Sequence, residues 1–201
     1  LSPTLIEVMG ECRRVAKHLH LPVQCGSDRI LRQMNRHYTR DGYLELVRQL
    51  RAAVADVGLS TDLIVGFPGE TEEDFEATLE LVRAAQYDSF YSFEYSPRPD
   101  TAALMYEDTV SGDEKRQRLI ALQQLQQEIQ RRRNAALVGR TVEVLVDGLS
   151  KKSDDDVSGR TSSNHIVNFA GPGELIGQLV DVEITRPAAH SLRGVATGAT
   201  G

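Results

Sequence analysis

The chain has 201 residues, 40% of them apolar and 26% charged, which excludes a disordered or low-complexity protein and leaves room for one large domain or a large and a small one. No apolar run approaches the roughly 20 residues that span a bilayer, no signal peptide is visible, and two cysteines make neither a disulfide scaffold nor a metal-ligand spacing. The net charge of −6, with 17 Lys/Arg against 21 Asp/Glu up to Leu137 and 6 against 8 beyond it, excludes a broad basic surface, so any contact with nucleic acid has to rest on local clusters.

Ser2-Pro3 predicts a helix start, with Leu5, Met9 and Cys12 on one face. His18 to Gln24 alternates as a strand does and is broken by Gly26-Ser27. Thr39 is placed to cap a helix in which Tyr43, Leu44, Val47, Leu50 and Val54 recur at helical spacing, with Gly58 as its stop. Leu59 to Gly66 is nearly continuous in apolar residues and predicts a strand buried on both faces. Thr71-Glu-Glu-Asp74 predicts a capped helix start, and Phe75, Leu79 and Val82 then face a sheet. Asp88 to Tyr95 predicts an aromatic-rich strand ending in Ser96-Pro-Arg-Pro99.

Strand, helix, strand, helix, strand predicts βαβ units, a parallel sheet and therefore an α/β fold. Three strands cannot close a barrel and would leave an edge unpaired, so further strands are expected upstream of Leu1, which is itself not a Met. A long helix is predicted from Asp113 to Ala136, capped near Ser111, with Leu119, Leu122, Leu125 and Ile129 as its stripe. Arg131-Arg-Arg133 closes it where cations favour the helix dipole. Beyond a boundary near Leu137, short β-type runs at Thr141–Val146, Ile166–Phe169 and Leu179–Ile184 predict a small all-β barrel of OB-like size. Lys151 to Asp156 is expected to form a mobile polar hairpin tip.

Ligands of parallel α/β domains bind beyond the carboxyl ends of the strands, which selects Gln24–Ser27, Gly66–Glu70 and Tyr95–Arg98. Gly66 and Gly69 allow close backbone approach, and Pro68 stiffens the turn. Gln24, Ser27 and Asp62 offer hydrogen bonds suited to a ribose or an amino-acid moiety, and Arg98 is a held cation for a carboxylate or phosphate. Tight βα turns with no ligand are the competing reading for each taken singly. His18 and His20 fit a structural role better than a catalytic one, and Cys12 fits a core position. No Ser-His-Asp pattern, Walker loop or zinc cluster is present, so no catalytic residue is assigned.

Four segments together carry a family pattern: His20-Leu-Pro-Val-Gln-Cys-Gly-Ser27, Met34-Asn-Arg-His-Tyr-Thr39, Asp62-Leu-Ile-Val-Gly-Phe-Pro-Gly-Glu70 and Tyr95-Ser-Pro-Arg-Pro-Asp-Thr101. In this order they resemble the radical S-adenosylmethionine methylthiotransferases. Gly159-Arg-Thr161, Asn164 and Ser191-Leu-Arg-Gly194 resemble the RNA-binding TRAM domain at the end of those enzymes. Pro-Val-Gln and Ser-Pro-Arg-Pro are most similar to the branch acting on N(6)-dimethylallyladenosine of tRNA. The branches for threonylcarbamoyladenosine and for a ribosomal protein fit less well.

The resemblance implies the last three strands of a (β/α)6 radical-SAM barrel over residues 1–137, with the TRAM barrel over 138–201. It implies S-adenosyl-L-methionine as cofactor and two 4Fe-4S clusters in the whole enzyme, one of them held by Cys-x3-Cys-x2-Cys, whose ligands Cys12 and Cys25 do not match; no metal ligand is therefore assigned in this chain. The family cleaves the cofactor reductively, activates an unreactive C–H bond of the adenosine at tRNA position 37 and adds sulfur and a methyl group there. Cys25, His37 and Asp100 stand where the family has Ser, Gly and Gly. Cofactor contacts are implied at Gln24, Ser27, Asp62, Ile64, Gly66, Phe93, Tyr95 and Arg98. Arg36 is implied for substrate or cofactor carboxylate, and Lys151, Lys152, Arg160, Thr161 and Asn164 for RNA. The expected partners are a tRNA anticodon stem-loop and an electron donor such as flavodoxin or ferredoxin, with a monomer in the cytoplasm and no membrane. A stand-alone tRNA-binding module is the alternative, and this chain alone is expected to be inactive.

Overall fold

The structure, a computed structural model, describes residues 1–99, 101–150, 153 and 155–199. Lys151 and Lys152, two of the expected RNA contacts, lie outside the described residues, as does Asp100. The chain forms two compact units, one of Leu1, 19–53 and 59–129, the other of 2–18, 54–58 and 130–201.

The first unit is built on a three-stranded sheet in the order β1 (His18–His20), β2 (Gly58–Val65), β3 (Ser89–Glu94). Strands β2 and β3 are parallel, with Asp62 opposite Tyr91 and Ile64 opposite Phe93. Strand β1 stops earlier than the alternation predicted, because Pro22 has no N–H to give to the ladder. Thr61 bridges the gap: its Oγ1 donates to Leu21 O (2.8 Å) and accepts from Val23 N (2.9 Å). Pairing resumes at Gln24, whose N donates to Asp62 O and whose O accepts from Ile64 N.

Helices α2 (Asp28–Gln33), α3 (Arg40–Ala53) and α4 (Glu72–Ala85) alternate with these strands. Thr39 Oγ1 accepts from Gly42 N, and Tyr43, Val47 and Leu50 are buried as the spacing predicts, whereas Leu44 is half-exposed. Thr71 and Asp74 form the capping box of α4, with Phe75, Leu79 and Val82 buried. Strand β2 departs from the expectation of burial on both faces. Leu59, Leu63 and Val65 are buried, but Asp62 and Ile64 are half-exposed, and their neighbours Tyr91 (63%) and Phe93 (53%) stand open. One face of the sheet is core; the other is polar and aromatic.

Helix α5 (Gly112–Ala135) starts in a reciprocal Ser111–Glu114 cap. Its buried side keeps only half of the predicted stripe, Leu122 and Ile129. Lys115, Arg118, Leu122, Gln126 and Ile129 are buried, while Leu119 and Leu125 are half-exposed. The reason is what α5 packs on: the polar turn after β2. Gly66 N donates to Glu70 Oε1 (3.0 Å) within that turn, and Arg118 Nη1 donates to the same oxygen (2.8 Å) and to Glu70 O (3.2 Å). The Glu70 and Arg118 side chains are 1% and 8% exposed. A side chain at Gly66 (φ +70°) would put its Cβ 2.3 Å from Lys115 Cγ, so glycine is required twice there, for conformation and for space.

In the second unit, α1 (Pro3–Glu11) is capped by Ser2 and buries Ile6 and Met9, leaving Leu5 45% exposed, contrary to its predicted place on the core face. Five strands close a barrel: β4 (Thr141–Leu149), β5 (Asp156–Thr161), β6 (Ile166–Ala170), β7 (Leu179–Pro187) and β8 (Leu192–Ala199), ordered β4-β5-β6-β8-β7. Only β6 and β8 run parallel. Val144, Val146, Val157, Val167, Phe169, Val180, Val182, Ile184 and Leu192 fill the interior. Asp156, expected at a mobile hairpin tip, is instead a buried residue of β5, held by both guanidinium nitrogens of Arg193. Among the described residues no helix is long and apolar enough to cross a membrane.

Removing Glu70 would leave the buried Arg118 guanidinium with only the exposed Glu72 carboxylate, 3.5 Å away. We expect Glu70→Ala to cost about 3 kcal/mol in urea unfolding. A loss below about 1 kcal/mol, the size of an exposed pair, would mean the clamp does not hold the unit together.

Candidate functional site

The carboxyl ends of the strands meet in a cavity of about 720 Å³ within the first unit. Gln24, Arg36, Asp62, Ile64, Phe93, Tyr95 and Arg98, all anticipated from the sequence, line it. The floor is the open sheet face, where Asp62 and Ile64 of β2 sit beside Phe93 of β3. His20 borders it, with Nδ1 3.0 Å from Ser60 Oγ, Nε2 3.4 Å from Asp62 Oδ2 and its ring edge-on to Tyr91. Gln24 adopts a left-handed backbone (φ +69°), an uncommon conformation for a non-glycine residue and one concentrated at functional sites.

Tyr95 and Phe67 form one wall, ring edge against ring face at 5.2 Å, with Lys115 Nζ 5.5 Å from the Tyr95 ring centre. Lys115 is also paired with Asp108. Phe67, Met34 and Asn35, which lie in segments marked in the sequence without being assigned a contact, line the cavity too, as does Gln33, which was not singled out. Gln33 matters most, because its Oε1 is buried and accepts no hydrogen bond from the protein. No sequence signal marks it: it ends a six-residue helix in a stretch that had no predicted element.

Ser27 and Gly66 do not line the cavity. Ser27 caps α2, accepting from Ile30 N, and its hydroxyl donates to Asp74. Asp74 also accepts from Arg29 and from the Thr71 N–H and hydroxyl. Burial pushes the Asp74 carboxyl up, but the hydrogen bonds from Arg29, Ser27 and Thr71 outweigh it and hold the group at about 2. Gly66 is occupied by Glu70 and Lys115, as described. Burial likewise pushes the Glu70 carboxyl up, against the Gly66 N–H and Arg118.

Neither cysteine belongs to a group of metal-ligating side chains among the described residues. Cys25 is fully buried among Ile30, Leu31 and Phe67, with Thr78 Oγ1 3.5 Å from its sulfur, and burial pushes its thiol up to about 11. Cys12 belongs to the other unit, at the end of α1. No group of three His, Cys, Asp or Glu among the described residues could hold a metal ion. The described residues therefore offer no ligand set for an iron–sulfur cluster.

In the second unit, Arg160, Thr161 and Asn164 come together at the turn between β5 and β6. Thr161 N donates to His165 O, Thr161 Oγ1 accepts from His165 N, and Asn164 (φ +69°) makes the left-handed corner. Arg160 donates to Asn164 Oδ1 (2.8 Å) and lies 3.4 Å from Asp147. The same turn packs on the chain: Lys17 N donates to Ser162 Oγ, and a Cβ on Gly58 would lie 2.2 Å from Ser163 O. Each of the three side chains has a partner within the unit, and Arg160 and Asn164 are exposed.

Residues 1–82 match the family model described as the Radical SAM superfamily, and residues 135–197 match the TRAM domain. The chain is 50% identical over 194 residues to the tRNA-2-methylthio-N(6)-dimethylallyladenosine synthase of Geobacter sulfurreducens, covering 96% of this chain and 43% of that protein. The proteins of the same name from Magnetococcus marinus and Geobacillus kaustophilus are also 50% identical, with 44% and 36% of their lengths covered. The resemblance read from the motifs is thus borne out across nearly the whole chain, which spans less than half the length of these curated relatives. A solved radical SAM enzyme, coproporphyrinogen III oxidase of Escherichia coli, aligns over 92% of this chain and 46% of its own at a TM-score of 0.46 and 16% identity, a likeness too loose to support any inference.

Two outcomes are expected. Asp74 lies below its ordinary value of 3.8, so its contribution is complete above about pH 4 and fades towards pH 2. Asp74→Asn should cost about 2 kcal/mol at pH 7 and flatten the acid limb of a stability–pH curve; an unchanged limb would rule out Asp74 as its source. In native protein at pH 8, a thiol reagent should modify Cys12 and spare Cys25 until the chain unfolds. Equal labelling rates would contradict the burial of Cys25.

Proposed function

We propose that this chain serves as the carboxyl-terminal part of a radical S-adenosylmethionine methylthiotransferase. The reaction is addition of a methylthio group to carbon 2 of N(6)-dimethylallyladenosine at position 37 of tRNA. The observation that carries this reading is the convergence of three strand ends on one cavity, in a chain half identical to enzymes named for that product. An external electron donor of the flavodoxin or ferredoxin class and a monomeric enzyme belong to the same reading.

The cavity fits a nucleoside-bearing sulfonium cofactor. Ile64 and Phe93 offer apolar and aromatic surface for the adenine, and Gln24 and Asp62 offer hydrogen bonds for the ribose. The buried Gln33 Oε1 offers an acceptor for a donor such as the ammonium group. When bound, S-adenosylmethionine supplies the methyl group and the means of activating the C–H bond. This chain's own part is to bind and orient the cofactor and to present the cavity to the nucleotide. Residues 138–201 form the RNA-binding domain in this reading. Because Thr161 and Asn164 are engaged within their turn, that domain would meet RNA mainly through other groups, Lys151 and Lys152 included.

A chimera tests the reading. The matching part of the Geobacter sulfurreducens enzyme is replaced by this chain, and tRNA carrying N(6)-dimethylallyladenosine is analysed by mass spectrometry. The methylthio product is expected from the chimera and not from the chain alone. A folded, cluster-bearing chimera with no product would overturn the proposal. So would a stoichiometric visible-absorbing cluster on the chain alone after treatment with iron and sulfide.

A further inference from the structure

The cavity carries its two signs of charge on different elements. Carboxylates belong to the strands: Asp62 lies on β2 and Glu94 ends β3. Guanidiniums belong to the loops beyond them: Arg36 follows the left-handed Asn35 (φ +56°) after α2, and Arg98 lies between Pro97 and Pro99 after β3. Both arginines are exposed.

These two cations differ from the other arginines of the unit, of which Arg32 and Arg51 donate to the backbone carbonyls of Asp28 and Gln86, and Arg116 lies 3.8 Å from Asp113. Arg29, Arg40, Arg48, Arg83 and Arg118 are each paired with a carboxylate, namely Asp74, Glu80, Glu45, Glu76 and Glu70. Arg36 and Arg98 have no carboxylate partner among the described residues, although the chain has 29 acids against 23 bases. In an acidic protein, two unneutralised arginines facing one cavity mark the place where an anion arrives.

Two anions could meet them: the carboxylate of the cofactor's amino-acid end, or phosphates of the RNA. Magnitude decides. An exposed guanidinium–carboxylate contact contributes about 0–1 kcal/mol, too little to seat a small cofactor. Phosphates differ because each contact releases condensed counterions, so exposed arginines contribute to polyanion binding without being buried. The carboxylate of Asp62 on the cavity floor also repels an anionic group there.

We propose that Arg36 and Arg98 hold backbone phosphates flanking the nucleotide that enters the cavity, and not the cofactor's carboxylate. This rests on the function proposed above. Arg36→Gln, Arg98→Gln and the double variant are compared with the unsubstituted chain, with Arg48→Gln on α3 as a surface control. Binding of a tRNA anticodon stem-loop is titrated across a series of salt concentrations, and S-adenosylmethionine binding is measured by equilibrium dialysis. Each rim substitution should weaken RNA binding several-fold and lower the log–log salt slope by about 0.7 to 0.9. Cofactor affinity should stay within about twofold, and Arg48→Gln should leave the slope unchanged.

A tenfold loss of cofactor affinity with an unchanged slope would assign the arginines to the carboxylate and overturn the proposal. Unchanged values on both measurements would overturn it too, as would a slope change equal in Arg48→Gln. If the unsubstituted chain does not bind the stem-loop, the functional reading itself fails and takes this inference with it. If it binds and the variants match it, only the inference fails.

Discussion

The buried ion pair between Glu70 and Arg118 is the constraint on which the first unit depends. A carboxylate that is almost fully enclosed is costly unless its lone pairs are met, and here they are met by the Gly66 N–H and by Arg118. The pair fixes the exit of β2, where Phe67 turns into the cavity wall, and fixes where α5 lies. Glycine at position 66 is the geometric condition for both, since any side chain there would collide with Lys115. The turn that looks most like a ligand cradle in the sequence is thus a structural lock, and its effect on the cavity is indirect.

A second polar centre does the same for the turn after β1. Asp74, at the start of α4, gathers Ser27, Arg29 and Thr71 and so ties α2 to α4. Helix α2 then presents Gln33, Met34, Asn35 and, just beyond, Arg36 to the cavity. Thr61 completes the frame by stitching the chain across Pro22, which lets Gln24 rejoin β2 in its left-handed conformation. Three polar arrangements between distant segments therefore position a site whose own lining is largely free of internal bonds. That division is physically sensible: side chains already satisfied within the protein cannot also greet a ligand at no cost.

The barrel illustrates the opposite case. Arg160, Thr161 and Asn164 are polar and exposed enough in pattern to resemble a binding strip. Yet the hydroxyl and amide groups are used in the β5–β6 turn, and Arg160 faces Asp147. Asp156, expected at a hairpin tip, and Arg193 of the Ser191–Gly194 motif close the barrel wall together.

The sequence by itself determined the order of elements, the parallel pairing, the caps at Ser2, Thr39, Thr71 and Ser111, and the strand ends at which a ligand would bind. These follow from local periodicity and capping chemistry, which act over a few residues. It also carried the family pattern, through motifs at Gln24, Asp62–Glu70 and Arg98. Strands β5 and β8 escaped notice because Gly159 and Gly194 interrupt their alternation, and each is glycine because a neighbouring strand's carbonyl lies 2.4 and 2.6 Å from where a Cβ would be. The polar buried side of α5 escaped for a related reason: Lys115 is buried in the space of the side chain that Gly66 lacks, and Arg118 by Glu70, 48 residues away. Only the tertiary structure decided which polar groups are consumed by the fold and which remain at the cavity, because a hydrogen bond or ion pair between distant segments leaves no periodic trace along the chain.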